Sequence, residues 1–150
     1  MVKRESVRGI IFSKQKIVVM YREKNNRAYY TFPGGGRQEG ESFEECVKRE
    51  VTEEFGINIE PIREVYLYEN EKTIQHFYLC EWKSGELGTG EGEEFQGDES
   101  RGIYVPMLVN LEILDKIPLM PPEVATALLY DIKIFGLNLG DYKIVTADGN

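Results

Sequence analysis

This chain of 150 residues lacks any long hydrophobic run. No segment approaches the roughly 18 consecutive apolar residues that a membrane-spanning helix needs. The charged N-terminus, residues 1–5, is followed by a short apolar run at residues 9–12, which is too short for the core of a signal peptide. We therefore expect a cytoplasmic protein without a membrane partner, in which residues 9–12 belong to a first strand.

Cysteine is also scarce, since Cys46 and Cys80 are the two in the sequence. Both lie in hydrophobic patterns, and their spacing matches no zinc motif. Two buried thiols in a reducing compartment are the simplest interpretation, and a disulfide bridge between them is the alternative.

Basic residues are in the minority: 18 Lys and Arg stand against 26 Asp and Glu, which gives a formal net charge of −8. Such a chain repels the phosphates of a nucleic acid, so we expect no nucleic-acid partner. A small phosphorylated substrate remains compatible with this charge if a divalent cation lies between the two, because the metal is then the largest local charge.

Repeats, low-complexity linkers and composition breaks are missing as well, so residues 1–150 are predicted to form a single α/β domain. Patterns rich in β-branched or alternating apolar residues predict strands at residues 6–12, 16–21, 28–32, 59–68, 73–82 and 102–108. Helices are predicted from Phe43 to Phe55 and from Pro121 to about Phe135, and the structure of the tail, residues 136–150, is left open. Two helices that cover a mixed sheet on opposite faces are the expected architecture.

The first predicted helix has clear signals at both ends. Ser42 is a favourable N-cap residue, and Glu45, three residues later, completes a capping box. Gly56 stands where a left-handed residue is expected after the last turn. The helix is therefore expected to begin at residue 43 and to end at residue 55.

Glutamates intrude on the buried face of this helix. Its apolar stripe consists of Val47, Val51 and Phe55. With about 100° per residue, Glu50 and Glu54 fall inside that stripe or at its edge, and Glu53 lies beside it. Like charges this close repel one another, and more strongly when desolvated. Lys48 and Arg49 could offset part of this charge, but their wheel positions point elsewhere, so we also expect a hard divalent cation; a solvated acidic face is the alternative.

A glycine-rich segment, Phe32-Pro33-Gly34-Gly35-Gly36, leads towards the helix. Glycines let a backbone come close and expose its carbonyl and amide groups, and a glycine loop before a helix is a common cradle for phosphates or metals. An ordinary loop is the alternative interpretation of three glycines alone.

Residues 35–57 as a whole resemble the Nudix box: a glycine, five residues, a glutamate, seven residues, and then Arg-Glu-aliphatic-any-Glu-Glu-any-Gly-aliphatic. The matching residues are Gly35, Glu41, Arg49, Glu50, Val51, Glu53, Glu54, Gly56 and Ile57. Starting the motif at Gly34 or Gly36 places no glutamate at the next fixed position, so the register is unique. The predicted strand, loop and helix are also the context that this motif requires.

The resemblance implies an α/β/α sandwich with a mixed β-sheet between helices, and hydrolysis of a nucleoside diphosphate linked to another group. It also implies that Glu50, Glu53 and Glu54 bind Mg²⁺ or Mn²⁺, helped by the carbonyl group of Gly34.

The same resemblance assigns supporting roles to three further residues of the box. Glu41 and Arg49 would form an ion pair that holds the loop against the helix, next to Gly35.

A general base is expected in the loop that precedes the last strand, where many family members carry a glutamate. The matching loop is residues 85–101, in which we favour Glu94, followed by Glu99. Together with Glu53 and Glu54 these are the expected catalytic residues. A solvated acidic loop is the alternative for most of its glutamates.

Other candidates lie outside the box. Arg22 and Arg27 precede the glycine segment and are candidates for binding terminal phosphates, with an ordinary exposed strand edge as the alternative. His76, the one histidine, is expected to be packed or to line the substrate rather than to act in catalysis. The dipeptide Pro121-Pro122 resembles a region that often borders the nucleobase.

Markers of the known subfamilies are missing downstream of the box. Thr73 lies in the neighbourhood where ADP-ribose hydrolases carry a proline, and the tyrosine of many dinucleoside polyphosphate hydrolases is not at its expected place. We therefore expect a small nucleotide substrate, a nucleoside triphosphate or its oxidised purine form, to be cleaved to the monophosphate and pyrophosphate. The alternatives are ADP-ribose or a nucleotide sugar, a dinucleoside polyphosphate, a nucleotide sensor without turnover, and a metal-binding structural domain. Family members often pair, so a homodimer also stays open.

Overall fold

Strands outnumber helices in the computed structural model, which describes residues 2–88 and 102–147. In chain order the strands are β1 (Arg4–Ser13), β2 (Lys16–Lys24), β3 (Arg27–Thr31), β4 (Gly34–Gly36), β5 (Ile57–Glu69), β6 (Thr73–Gly85), β7 (Ile103–Asn110), β8 (Leu119–Met120) and β9 (Lys143–Thr146). The helices are α1 (Phe43–Phe55) and α2 (Pro122–Phe135), with short 3-10 helices at Leu111–Lys116 and Gly136–Asn138.

The strands form one mixed sheet in the order β8-β3-β2-β1-β6-β5-β9, to which β4 is added through β1 and β7 through β2. The pairs β1–β6, β3–β8 and β5–β9 are parallel. Strand β1 pairs with β2 through Phe12 and Ser13, whereas its first half pairs with the glycines of β4. The glycine segment is therefore fixed beside the middle of the sheet.

The two helices pack on opposite faces of this sheet. Successive side chains of a strand point to opposite faces, and β2 follows this rule. Val18 and Met20 pack with α1 residues such as Val47, while Ile17 and Val19 pack with α2 residues. The expected α/β/α sandwich with a mixed sheet is thus confirmed.

No helix in residues 2–88 or 102–147 combines the length and apolar character needed to cross a membrane.

Helix α1 has the predicted bounds. The Ser42 side chain accepts a hydrogen bond from the backbone N–H of Glu45 at 3.0 Å, and the Glu45 carboxylate accepts one from the N–H of Ser42 at 2.8 Å. Gly56 follows with a φ of 77°, in the left-handed region. The capping box and the terminal glycine are both confirmed.

Three strands were not predicted, namely β4, β8 and β9. β4 consists of three glycines, which have low strand propensity, so its strand conformation comes from pairing with β1. The two residues of β8 and the four of β9 are likewise defined by parallel pairing with β3 and β5. Tertiary pairing, which a local pattern does not contain, accounts for all three.

A buried carboxylate holds β9, residues 143–146, against the rest of the fold. Asp131 of α2 is 1% exposed. It accepts hydrogen bonds from the Tyr66 hydroxyl of β5 at 2.7 Å and from the Lys143 ammonium group of β9 at 2.8 Å. Burial and this hydrogen bond raise the pKa of Tyr66. Asp131 thereby joins β5, α2 and β9.

Both cysteines are buried and free. Burial is the main cause that raises the pKa of Cys46 to about 11 and that of Cys80 to about 12. Both side chains are therefore neutral thiols near neutral pH, and the expectation of two buried thiols is confirmed.

His76 is packed between carboxylates of two strands. Its Nδ1 lies 2.8 Å from the Glu64 carboxylate and its Nε2 lies 3.2 Å from that of Glu5. The imidazole stacks on Phe43 of α1 with ring centroids 4.0 Å apart. Burial lowers the pKa of His76, but the hydrogen bonds to Glu64 and Glu5 outweigh it, so that the pKa is raised.

Replacement of His76 by glutamine is expected to cost stability in a pH-dependent way. A pKa raised on folding means that the charged ring stabilises the fold fully below the unfolded-state pKa of about 6.5, and that this contribution is lost as the pH rises through the folded-state pKa. Urea unfolding of wild type and His76→Gln across this range should show the gap between them shrinking with rising pH. A gap that stays constant or widens would contradict the ionic interpretation.

Candidate active site

The guanidinium group of Arg49 connects the helix to the loop before it. Its Nε and Nη2 atoms donate to the two carboxylate oxygens of Glu41 at 2.7 Å and 3.0 Å. Nη2 also donates to the carbonyl oxygen of Gly36 at 3.2 Å. The hydrogen bond from Arg49 is the main cause that lowers the pKa of Glu41 to about 2. A bidentate pair of this kind is among the stronger polar contacts in proteins.

Arg49 also contacts two glutamates of its own helix. Its Nη1 lies 3.1 Å from the Glu50 carboxylate and 3.4 Å from that of Glu53. Glu41 and then Glu50 raise the pKa of Arg49. The expectation that Arg49 points away from the glutamates is therefore wrong, because its long side chain folds back along the helix. Lys48 does point away and pairs with exposed Glu60 at 3.5 Å.

Gly35 makes room for the carboxylate of Glu50. A Cβ atom added at Gly35 would lie 2.5 Å from the Glu50 carboxylate carbon, closer than side-chain atoms pack. The same atom added at Gly36 would meet its nearest neighbour, Arg4, at 3.8 Å. The first glycine of the motif is thus required by a direct contact with the helix.

Arg8 is a site residue that the sequence reasoning missed. Its Nη1 atom donates to the carbonyl oxygens of Phe32 at 3.2 Å and Gly34 at 3.0 Å. Burial lowers the pKa of Arg8, while the charges of Glu54 and Glu50 act in the opposite direction. An arginine in the middle of the apolar sequence of β1, between Val7 and Ile10, was the signal that could have identified it.

An open pocket of about 270 Å³ begins at Arg8. It is lined by Arg8, Thr31, Phe32, Tyr68, Asn70, Gln75, Met120, Pro121 and Pro122. The resemblance had pointed to Pro121 and Pro122; the two side-chain amides were missed. Larger depressions of about 750 Å³ and about 580 Å³ flank β9, but neither is lined by a residue of the box. The small pocket contains no box residue either, but Arg8, which lines it, donates to the carbonyl oxygen of Gly34 next to the box.

Arg22 lies on β2 between two tyrosines. Its guanidinium carbon is 4.4 Å from the ring centre of Tyr104 and 5.6 Å from that of Tyr29, and its Nη2 donates to the Tyr104 hydroxyl. Its Nε is buried without a hydrogen-bond partner among the described residues. Arg27 is exposed and lies 5.8 Å from the Tyr29 ring. The Arg22 side chain is thus positioned by the two tyrosines, whereas the exposed Arg27 side chain lies near the Tyr29 ring alone among the contacts described.

The structure brings five of the expected residues together. Direct contacts join Gly35 to Glu50 and Arg49 to Glu41, Glu50 and Glu53. In residues 2–88 and 102–147, however, no three carboxylate, imidazole or thiol groups already converge as a metal site. The expected general bases, Glu94 and Glu99, lie outside the described residues.

Comparison with known proteins agrees with this geometry. The family model described as NUDIX domain matches residues 2–109. The 8-oxo-dGDP phosphatase NUDT18 of Danio rerio is 33% identical over 86 residues, which are 55% of this chain and 26% of that protein. The chain thus aligns with about a quarter of that relative.

Solved structures share the fold. An ADP-ribose pyrophosphatase of Streptococcus suis is 20% identical with a TM-score of 0.62, and the match covers 97% of this chain and 99% of that one. A NUDIX hydrolase of Nitrosomonas europaea is 13% identical with a TM-score of 0.74, over 97% and 79% of the two chains. The family model covers more than half of the sequence, and the motif residues meet in space. This chain belongs to the Nudix family.

Proposed function

We propose that this chain hydrolyses a diphosphate linkage in a small nucleotide with the help of Mg²⁺ or Mn²⁺. The cation would be held by Glu50, Glu53 and Glu54 and by the carbonyl group of Gly34. The observation that carries the proposal is the set of contacts made by Arg49, which hold Glu50 and Glu53 beside the glycine segment. All of these donors are oxygen atoms, as hard divalent cations prefer.

Two of the proposed ligands are held by contacts within the chain. Glu50 and Glu53 contact Arg49 Nη1, while Arg49 Nε and Nη2 remain with Glu41. Each of the two carboxylates contacts Arg49 through one oxygen atom, Oε1 of Glu50 and Oε2 of Glu53, so its other oxygen atom could bind a cation while the contacts of Arg49 persist. The bound cation would neutralise phosphate oxygens and lower the pKa of a water molecule that attacks phosphorus.

The general base is proposed to be Glu94, followed by Glu99. The described residues on both sides of residues 89–101 support this assignment. The N–H of Gly88 donates to the carbonyl oxygen of Phe55 at 2.9 Å, next to Glu54. On the other side, β7 places Tyr104 opposite Arg22. The described residues before and after this loop thus contact the end of α1 and β2. Comparing Glu94→Gln with Glu99→Gln in one activity assay separates the two candidates.

A nucleoside triphosphate, including oxidised purine forms, is the proposed substrate, with the monophosphate and pyrophosphate as products. A pocket of about 270 Å³ suits one base better than the two nucleosides of a dinucleoside polyphosphate. Asn70 and Gln75 offer amide groups that can hydrogen-bond to a base edge. The Oδ1 atom of Asn70 accepts from the N–H groups of Lys72 at 2.9 Å and Thr73 at 2.8 Å, which fixes the direction of its amide. The name of the Danio rerio relative, an 8-oxo-dGDP phosphatase, supports an oxidised guanine nucleotide, although as a diphosphate.

Glu54→Gln is expected to abolish turnover. The assay measures pyrophosphate and phosphate release with Mg²⁺ from normal and 8-oxo purine nucleoside triphosphates, ADP-ribose, a UDP-sugar and a dinucleoside polyphosphate. Loss of a carboxylate that binds the cation should lower the rate by about a hundredfold or more. Glu44→Gln is the matched control, since Glu44 is exposed in the first turn of the same helix.

The proposal fails if no nucleotide of the panel is cleaved by wild type. It also fails if Glu54→Gln and Glu44→Gln retain the same activity. Fast cleavage of ADP-ribose or the UDP-sugar alone would support the proposed reaction but show that the substrate is not a nucleoside triphosphate.

Gly35→Ala is expected to displace the Glu50 carboxylate, because its Cβ would lie 2.5 Å from the carboxylate carbon. Overpacking of this kind costs about 1–3 kcal/mol of stability, and turnover should fall with it. Gly36→Ala is the matched comparison, since its Cβ would make an ordinary contact at 3.8 Å. Urea unfolding and activity are measured on both variants. Equal stability and equal activity of Gly35→Ala and Gly36→Ala would contradict this role of Gly35.

A further inference from the structure

Arg8 binds the carbonyl oxygen that the proposed function assigns to the cation. A single nitrogen atom, Nη1, donates to Gly34 at 3.0 Å and to Phe32 at 3.2 Å. Because Arg8 is paired in register with Gly34 across β1 and β4, the backbone itself fixes this contact. The guanidinium group thus lies at the position where the glycine segment turns towards the helix glutamates.

The charge of Arg8 acts on two glutamates of the box helix. Glu54 is the acidic residue with the largest electrostatic effect on Arg8, and Glu50 is the next. Arg49, by contrast, contacts Glu41, Glu50 and Glu53. Two arginines from different elements therefore share the acidic cluster, with Arg8 on the side of Glu54.

The position of Arg8 in the sequence is unfavourable without such partners. Arg8 is partly buried, Ile10 two residues further along the same strand is fully buried, and Arg4 and Arg22 add repulsion. A charged group in such surroundings is stable only when it is paired and hydrogen-bonded. The carbonyl oxygens and the glutamates together provide that compensation.

We propose that Arg8 is a built-in cation of the metal site. It positions the Gly34 carbonyl group and offsets the charge of Glu54 and Glu50 while no metal ion is bound. A metal ion that enters the same field is repelled by Arg8, so Arg8 stabilises the metal-free protein and weakens metal binding. This inference rests on the proposed function, because it takes Gly34 and the box glutamates as the ligands of the cation.

The test compares Arg8→Gln and Arg8→Lys with wild type in the full-length chain. Thermal unfolding is recorded in EDTA and in Mg²⁺, and the Mg²⁺ dissociation constant is measured by calorimetry. Arg8→Gln should melt earlier than wild type in EDTA and bind Mg²⁺ roughly tenfold more tightly, the order expected for removing one nearby unit charge. Tighter binding also means a larger upward shift of the melting temperature on adding Mg²⁺. Arg8→Lys keeps the charge and should keep an affinity close to that of wild type.

Arg63→Gln is the matched control. A single nitrogen atom of Arg63 also donates to two backbone carbonyl oxygens, those of Asn138 and Gly140, both at 2.8 Å. Neither acceptor belongs to the box. This variant should melt earlier by the same amount in EDTA and in Mg²⁺, with an unchanged Mg²⁺ dissociation constant.

An unchanged or weaker Mg²⁺ affinity in Arg8→Gln, with wild type binding normally, would overturn the inference and leave the proposed function standing. If Mg²⁺ binds neither protein, the proposed function is wrong and the inference falls with it. If Arg8→Gln does not fold in EDTA, the double variant Arg8→Gln/Glu54→Gln decides, because loss of the opposing charge should restore folding. A double variant as unfolded as Arg8→Gln would also overturn the inference.

Discussion

The ion pair between Arg49 and Glu41 is the interaction on which the rest of the site depends. Its two short hydrogen bonds join residues on either side of the first turn of α1, and the third contact, to the Gly36 carbonyl group, reaches the glycine strand. Arg49 also keeps the carboxylates of Glu50 and Glu53 close to each other. Without this positive charge, like charges on one helix face would repel one another. The pair thus fixes the geometry of the loop and reduces the electrostatic cost of the acidic cluster.

The same ion pair is linked to the sheet through further polar contacts. Arg37 donates to the Glu41 carbonyl oxygen at 2.9 Å and to the Glu5 carboxylate at 2.6 Å, and Glu5 in turn contacts His76 at 3.2 Å. A connected set of charged groups therefore runs from the interior of the sheet to the box helix. Strand β1 provides Glu5 to this set and Arg8 to the other side of the glycine segment. Strand β1 therefore supports the site from both sides of the glycine segment.

Local sequence signals predicted α1 and the box well, because the capping box, Gly56 and the motif spacing are all short-range features. The signals were insufficient wherever the cause was tertiary. The strands β4 and β9 exist through pairing with β1 and β5, and the fold of Arg49 back onto Glu50 depends on side-chain length rather than wheel angle. Arg8 was missed because its acceptors, Phe32 and Gly34, lie 24 and 26 residues away along the chain.

A double-mutant cycle on Glu41→Gln and Arg49→Lys tests the central claim most directly. The free energy of unfolding in urea and the Mg²⁺ dissociation constant are measured for wild type, both single variants and the double variant at neutral pH. The account predicts a coupling energy of roughly 0.5–3 kcal/mol between the two substitutions, and altered Mg²⁺ affinity in each single variant. Because the pKa of Glu41 is lowered to about 2 by Arg49, the coupling should be present above the unfolded-state pKa of about 4.3 and disappear as the pH falls towards the folded-state value. Additive single effects with unchanged Mg²⁺ affinity would contradict the account.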